Sequence, residues 1–136
     1  MNSFFKGIRT IAIVGLSDKT DRPSYEVGKY LQEEGFRIIP VNPNVEEVLG
    51  EKAYPDLLSI PRDTLVDVVN IFRRSEDVMA HIEEAVARGD VMTIWLQEGI
   101  SNDTAERYAK SRGLHVVSNF CLMKAHKNHG KEKLVN

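Results

Sequence analysis

Gly15, Ser17, Lys19 and Arg22 stand close together early in the chain, and their types suit an anion. A glycine lets the main chain turn tightly and come near a ligand. The serine adds a hydroxyl donor, and the lysine and arginine add positive charge. Before them runs Thr10-Ile11-Ala12-Ile13-Val14, apolar and rich in β-branched residues. After them Ser24 could cap a helix. A strand, a Gly/Ser turn and a helix N-terminus together suit a phosphate, because free N–H groups and the helix dipole face the ligand. Strand-to-helix loops also carry Gly, Ser and charges for structural reasons alone, so residue types leave both readings open. The dinucleotide fingerprint Gly-x-Gly-x-x-Gly lacks its second and third glycines, and no Gly-Lys-Ser/Thr of a P-loop is present.

Further candidates lie later in the chain. Phe72-Arg73-Arg74 offers an aromatic face and two guanidinium groups; Arg74 could equally pair with Glu76 or Asp77. Gln97 and Glu98 could reach a ligand amide or hydroxyl, or cap the next helix. Trp95 reads as core. Where NAD-binding domains place an acid for the ribose hydroxyls, this chain has Val41-Asn42-Pro43, which disfavours NAD. The histidines are His81, His115, His126 and His129. None falls into a nucleophile constellation, and His126-x-x-His129 reads as an adventitious chelator, so neither a catalytic residue nor a metal site is expected.

The elements that must position these residues alternate. Strands are expected at about 10–15, 36–41, 65–72, 91–96 and 114–117. Helices are expected at about 24–34, from Ser75 to Gly89, and from Ser101 or Asn102 to Gly113, with apolar positions at helical spacing. A turn at Gly50, a helical turn over 56–60 and a last helical piece over 119–127 complete the pattern. Strands alternating with helices imply a parallel sheet with right-handed crossovers. The expected fold is α/β: a Rossmann-like three-layer sandwich with a five-stranded parallel sheet, order 3-2-1-4-5. Its ligand site would lie at the carboxyl ends of the strands, at the switch between strands 1 and 4.

The chain has 136 residues, enough for one domain with a real core. A net charge of -2 argues against a nucleic-acid partner. No run approaches the roughly 18 apolar residues of a membrane span, and no signal peptide is evident. A single cysteine, Cys121, excludes an internal disulfide and points to the cytoplasm.

Read together, the loops resemble a known family. Val14-Gly15-Leu16-Ser17 with Arg22-Pro23-Ser24-Tyr25, Ile39-Pro40-Val41-Asn42-Pro43, Gly50-Glu51-Lys52-Ala53-Tyr54, Val68 through Arg74, Trp95-Leu96-Gln97-Glu98-Gly99 and Cys121-Leu122-Met123-Lys124 are similar to the small bacterial and archaeal CoA-binding proteins. That family in turn resembles the nucleotide-binding domain of the succinyl-CoA synthetase α subunit. The resemblance implies one CoA-binding domain over 1–127, with a polar tail over 128–136. It implies that Gly15, Leu16, Ser17 and Asp18 take phosphates, flanked by Lys19, Arg22, Pro23 and Ser24. Val41, Asn42 and Pro43 would receive the adenine and ribose, Phe72 and Arg73 would line the pantetheine path, and Gln97 and Glu98 would lie near its end. The synthetase transfers phosphate through a histidine on a second domain, and this chain has no counterpart to it. The expected function is therefore non-catalytic binding of CoA or an acyl-CoA in the cytoplasm. The alternatives are an acyl-CoA-handling enzyme or subunit that needs a partner, and an NAD(P)-binding oxidoreductase-like protein. A homodimer is left open. Cys121 reads as a small core residue, with a mixed disulfide to the CoA thiol as the other reading.

Overall fold

The computed structural model describes residues 4–130. Five strands form one parallel sheet: β1 (Thr10–Val14), β2 (Arg37–Val41), β5 (Val68–Ile71), β6 (Thr93–Leu96) and β7 (His115–Val117), in the order β2-β1-β5-β6-β7. The two-residue strands β3 (Glu47–Val48) and β4 (Glu51–Lys52) make a separate antiparallel hairpin. Its turn residues Leu49 and Gly50 both have positive φ, 56° and 77°, as the tightest hairpin turns require.

Helices cover both faces. α1 (Pro23–Glu33) buries Ser24, Val27, Gly28 and Leu31, the one-sided spacing of an amphipathic helix. α2 (Val78–Arg88) buries Val78, Ile82 and Ala85, and Gly89 ends it in the left-handed conformation with φ 85°. α3 (Asp103–Ser111) starts at Asn102, whose side chain accepts from Ala105 N–H. α4 (Leu122–Ala125) is a short helix that runs on into a wide turn at His126–Gly130. Alternation along the strands sends Ala12, Val14, Val69, Ile71, Ile94 and Leu96 into one core with residues of α2 and α3. Ile11, Ile13, Val68 and Trp95 enter the other, with residues of α1 and α4. The result is the α/β sandwich with a five-stranded parallel sheet that the sequence implies.

The expected strand order needs correction. Numbered in sequence among the five parallel strands, the order is 2-1-3-4-5 rather than 3-2-1-4-5, because the strand at 68–71 pairs with β1 and not with β2. Pro40 supplies the reason. Gly15 N–H donates to Val41 O at 2.8 Å, so Val41 faces β1. Pro40 and Asn42 face the other way, where Tyr54 N–H donates to Pro40 O at 3.0 Å and Asn42 N–H donates to Tyr54 O at 2.9 Å. The N–H that proline lacks therefore belongs to the outer edge, where no full strand depends on it. β2 is an edge strand, and the switch point lies between β1 and β5.

Other boundaries shift less. The third parallel strand is shorter than expected: Leu65 is 66% exposed, and regular pairing starts at Val68. Ser24 lies inside α1 rather than capping it, with Arg22 at the cap and Pro23 in the first turn. Ser75 opens a short 3-10 turn ahead of α2. Residues 131–136 of the expected polar tail lie outside the described residues.

The amino ends of the strands are closed by polar groups. The Asp67 carboxylate accepts from the N–H groups of Arg9 and Thr10, both at 2.9 Å. Arg88, 3% exposed, donates to Leu57 O, Ile60 O and Thr64 O at 3.1, 2.8 and 2.8 Å. Its remaining bonds go to both oxygens of Asp90, at 3.1 and 2.9 Å. Burial alone would raise the pKa of Asp90. The hydrogen bonds from Arg88 and from Val66 N–H outweigh it and hold the carboxyl below the usual range.

Candidate functional site

The opposite end of the sheet is open. At the switch point, where β1 and β5 stop, the loop after β5, the loop after β6, the first turn of α1 and the start of α4 stand around one space. Between them lies a cleft of about 790 Å³. Phe72, Arg73, Arg74 and Asp77 line it from the β5 side, and Gln97, Glu98 and Ile100 from the β6 side. Pro23, Glu26 and Val27 of α1 face Cys121, Met123 and Lys124 from the α4 region.

The turn after β1 is built to lie close to the turn after β5. Gly15 has φ +90°, and a Cβ there would stand 2.4 Å from Phe72 O and 3.4 Å from Arg73 Nε. Any side chain at this position would push the two loops apart. The turn is held from within: Ser17 N–H donates to Ser24 Oγ and Lys19 N–H to Ser17 Oγ, both at 3.0 Å. The Ser24 hydroxyl therefore props the turn from inside the helix. Asn42, in place of an acid, donates through Nδ2 to Leu16 O at 3.0 Å and accepts from Asn44 N–H at 2.9 Å. It is a structural tie between the β1 and β2 loops.

The charged groups of the cleft differ in their state. Arg74 pairs with Asp77 at 3.1 Å and approaches Glu76 at 3.9 Å. Lys124 pairs with Glu98 at 3.1 Å, and this hydrogen bond raises its pKa. Arg73 has no carboxylate within 4 Å among the described residues. Its guanidinium is near enough to His81 to favour the neutral imidazole, adding to burial, the larger cause that lowers the His81 pKa. Among the described residues that line the cleft, Arg73 is thus the one cation without a carboxylate partner.

Of the residues singled out from the sequence, Pro23, Phe72, Arg73, Gln97 and Glu98 line this cleft, and Gly15 abuts it. Asp18 and Lys19 are exposed on the turn. Arg22 borders a neighbouring hollow of about 480 Å³ along α1. Leu16 and Val41 are core residues, at 0% and 2% exposure, so at these two positions main-chain atoms are what could meet a ligand. Of Val41, Asn42 and Pro43, expected to receive the adenine and ribose, Pro43 is the exposed one. Glu26 and Ile100 line the cleft although nothing in their local sequence marks them, and Asp77 and Met123 line it although neither was singled out as a site residue. Glu26 and Met123 arrive there on α1 and α4, Asp77 on the turn ahead of α2 and Ile100 on the loop after β6. Cys121 is buried in the core and also borders the cleft.

Comparison with known proteins identifies the family of this chain. A family model described as CoA binding domain matches residues 9–127, nearly the whole chain. The chain belongs to the CoA binding domain family. Within that family, the Bacillus subtilis (strain 168) protein YneT is 42% identical over 118 residues, covering 87% of this chain and 85% of YneT. A solved structure described as a hypothetical protein from Pyrococcus horikoshii OT3 superposes with a TM-score of 0.89 at 37% identity, covering 93% of this chain and 87% of that one. Acetate–CoA ligase [ADP-forming] II of Archaeoglobus fulgidus is 27% identical over 117 residues. That match takes in 79% of this chain but only 17% of the ligase. The CoA binding domain family is thus found both as a chain of about this length and as part of much larger ligases. Among the described residues no helix is long and apolar enough to cross a membrane.

Proposed function

We propose that this chain binds coenzyme A or an acyl-CoA in the cleft at the carboxyl ends of β1, β5 and β6, and holds it without covalent chemistry of its own. The observation that carries the reading is Arg73, a guanidinium with no carboxylate partner among the described residues, placed against Gly15 at the switch point of the sheet. A nucleotide phosphate is the ligand that such a group suits, because charge-assisted bonds from guanidinium to phosphate are short and strong. The first turn of α1 adds N–H groups without intrahelical partners. The Ser17 hydroxyl accepts from Lys19 and keeps its own proton for a ligand oxygen. Lys19 and Arg22 would offset further phosphate charge, with Leu16 and Asp18 contributing main-chain N–H groups. Pro43, beside Val41 and Asn42, is the surface for the base. Phe72, Gln97 and Glu98 then line the path of the pantetheine arm.

The non-catalytic part of the proposal rests on two of the three carboxylates of the cleft being engaged, Glu98 with Lys124 and Asp77 with Arg74, which leaves Glu26 as the third. The lone cysteine suits a cytoplasmic workplace. A second reading is favoured by the ligase relatives, of which this region is a small part: the chain could act as the CoA-holding subunit of an acyl-CoA enzyme whose chemistry sits on a partner.

Calorimetry against CoA, acetyl-CoA, NAD and ATP tests the binding claim. CoA or acetyl-CoA should bind more tightly than NAD or ATP. Tight NAD binding with none for CoA would overturn it. Turnover of acetyl-CoA by the isolated chain would overturn the non-catalytic part, and turnover that appears only on adding a second protein would favour the subunit reading.

A further inference from the structure

Asn70 is an unusual residue for the middle of a buried parallel sheet. It sits at 0% exposure in β5, in register with Ile13 of β1 and Trp95 of β6. Its Nδ2 donates to Trp95 O at 3.2 Å and to Gln97 Oε1 at 3.4 Å. A main-chain carbonyl can only accept, so Trp95 decides which branch of the Asn70 amide carries nitrogen. The same logic passes to Gln97. Its Oε1 receives Asn70 Nδ2 and also Leu122 N–H, at 3.3 Å. Both of these groups are donors, and they converge on one oxygen.

The Gln97 amide is therefore oriented with its oxygen inward and Nε2 on the opposite branch. Gln97 lines the cleft, and its Nε2 has no hydrogen-bond partner among the described residues. Nor is that nitrogen shut away from solvent: among the described residues Asn70 Oδ1 is the one fully buried side-chain polar atom without a partner. Leaving a buried acceptor unsatisfied is costly. Turning the Asn70 amide over would not remove the cost, since it would set oxygen against both Trp95 O and Gln97 Oε1. The fold keeps an arrangement that is poor for Asn70 and that aims two N–H donors of Gln97 into the cleft.

We propose that Gln97 donates from Nε2 to a carbonyl oxygen on the arm of the bound ligand, and that Asn70 is the positioning residue that sets the direction of this donor. The inference rests on the CoA reading above and adds to it how the arm is recognised. The carbonyl belongs either to a pantetheine amide or to the acyl thioester; the donor chemistry is the same.

The test measures CoA, acetyl-CoA and the 3′-phospho-ADP fragment, which lacks the arm, against the wild-type chain and three variants. Gln97→Glu keeps an oxygen for Asn70 and Leu122 and replaces the cleft-facing donors by an acceptor. It should weaken the arm-bearing ligands by about tenfold or more, the scale of losing one good hydrogen bond and meeting a repulsive oxygen, and leave the fragment within about twofold. Gln97→Met, a neutral replacement of similar length, should weaken the same ligands less. Asn70→Ser should lower the ratio of CoA affinity to fragment affinity by roughly threefold, whereas a purely structural role would lower both together. A loss confined to acetyl-CoA assigns the thioester carbonyl, and an equal loss for CoA assigns a pantetheine amide. Unchanged CoA and acetyl-CoA affinity in Gln97→Glu, or a parallel loss for the fragment, overturns the proposal while the CoA reading stands. A wild-type chain that binds neither CoA nor acetyl-CoA overturns both.

Discussion

Arg73 and Arg88 stand at opposite ends of one sheet and show what each end is for. Arg88 lies beyond the amino ends of the strands, with five hydrogen bonds to three carbonyls and a carboxylate. A guanidinium has five N–H groups, so this one is saturated. Arg73 lies beyond the carboxyl ends, beside Gly15, with no carboxylate within reach among the described residues. The first arginine is consumed by the fold, closing the loop over 57–66 onto α2. The second borders the cleft and has no carboxylate partner among the described residues. Residue type is the same in both cases; the difference lies in how many protein acceptors the surrounding chain brings to the guanidinium.

The contrast can be broken from either side. Arg88→Ala should have the largest effect: it leaves Asp90 and three carbonyls without their donor, and losing one partner of a buried pair costs about 3–5 kcal/mol of stability. Denaturant unfolding would measure this, with CoA affinity of the folded fraction unchanged. Arg73→Ala should do the reverse. It should weaken CoA binding by about 1.5–3 kcal/mol, the scale of hydrogen bonds to a charged group, with the unfolding midpoint little altered. If Arg73→Ala unfolded the chain and left affinity intact, the two arginines would have the same role. A smaller effect should appear with acid. Because the Asp90 pKa is depressed in the folded state, its contribution is fully present above the unfolded carboxylate value and is lost as pH falls through the folded one. Stability of the wild-type chain should therefore decline on the acid side more steeply than that of Asp90→Asn. Parallel acid profiles would remove the Arg88–Asp90 pair from the account.

Much of this architecture was legible in the residues, and the parts that were not share a cause. The apolar run ending at Gly15, the stripe Val27–Leu31 and the glycines at 89 and 113 are local signals, and the elements follow them closely. Strand order is a relation between segments far apart in the chain. Periodicity does not encode it, and the expected place for the strand at 68–71 was on the wrong side of β1. Pro40 carried the needed clue, since a strand missing a donor belongs at an edge. The candidate site divides in the same way. Gly15, Phe72, Arg73, Gln97 and Glu98 sit at strand ends, so topology alone brings them together. Glu26 reaches the cleft through the packing of α1, which no short motif records. Asn70 looked like one more residue in a strand until its register neighbours Ile13 and Trp95 were known.

Pro40 has one more consequence, for how the molecule meets copies of itself. A sheet edge offers a row of donors and acceptors on which a foreign strand can grow. At β2 that row is broken: Pro40 has no donor to give, its oxygen is taken by Tyr54, and so is the Asn42 N–H. An incoming strand would have to displace Tyr54 and would still find a missing rung. On this flank the protein is guarded against fibre-like stacking, and two chains that met here would use side-chain surfaces rather than a shared sheet.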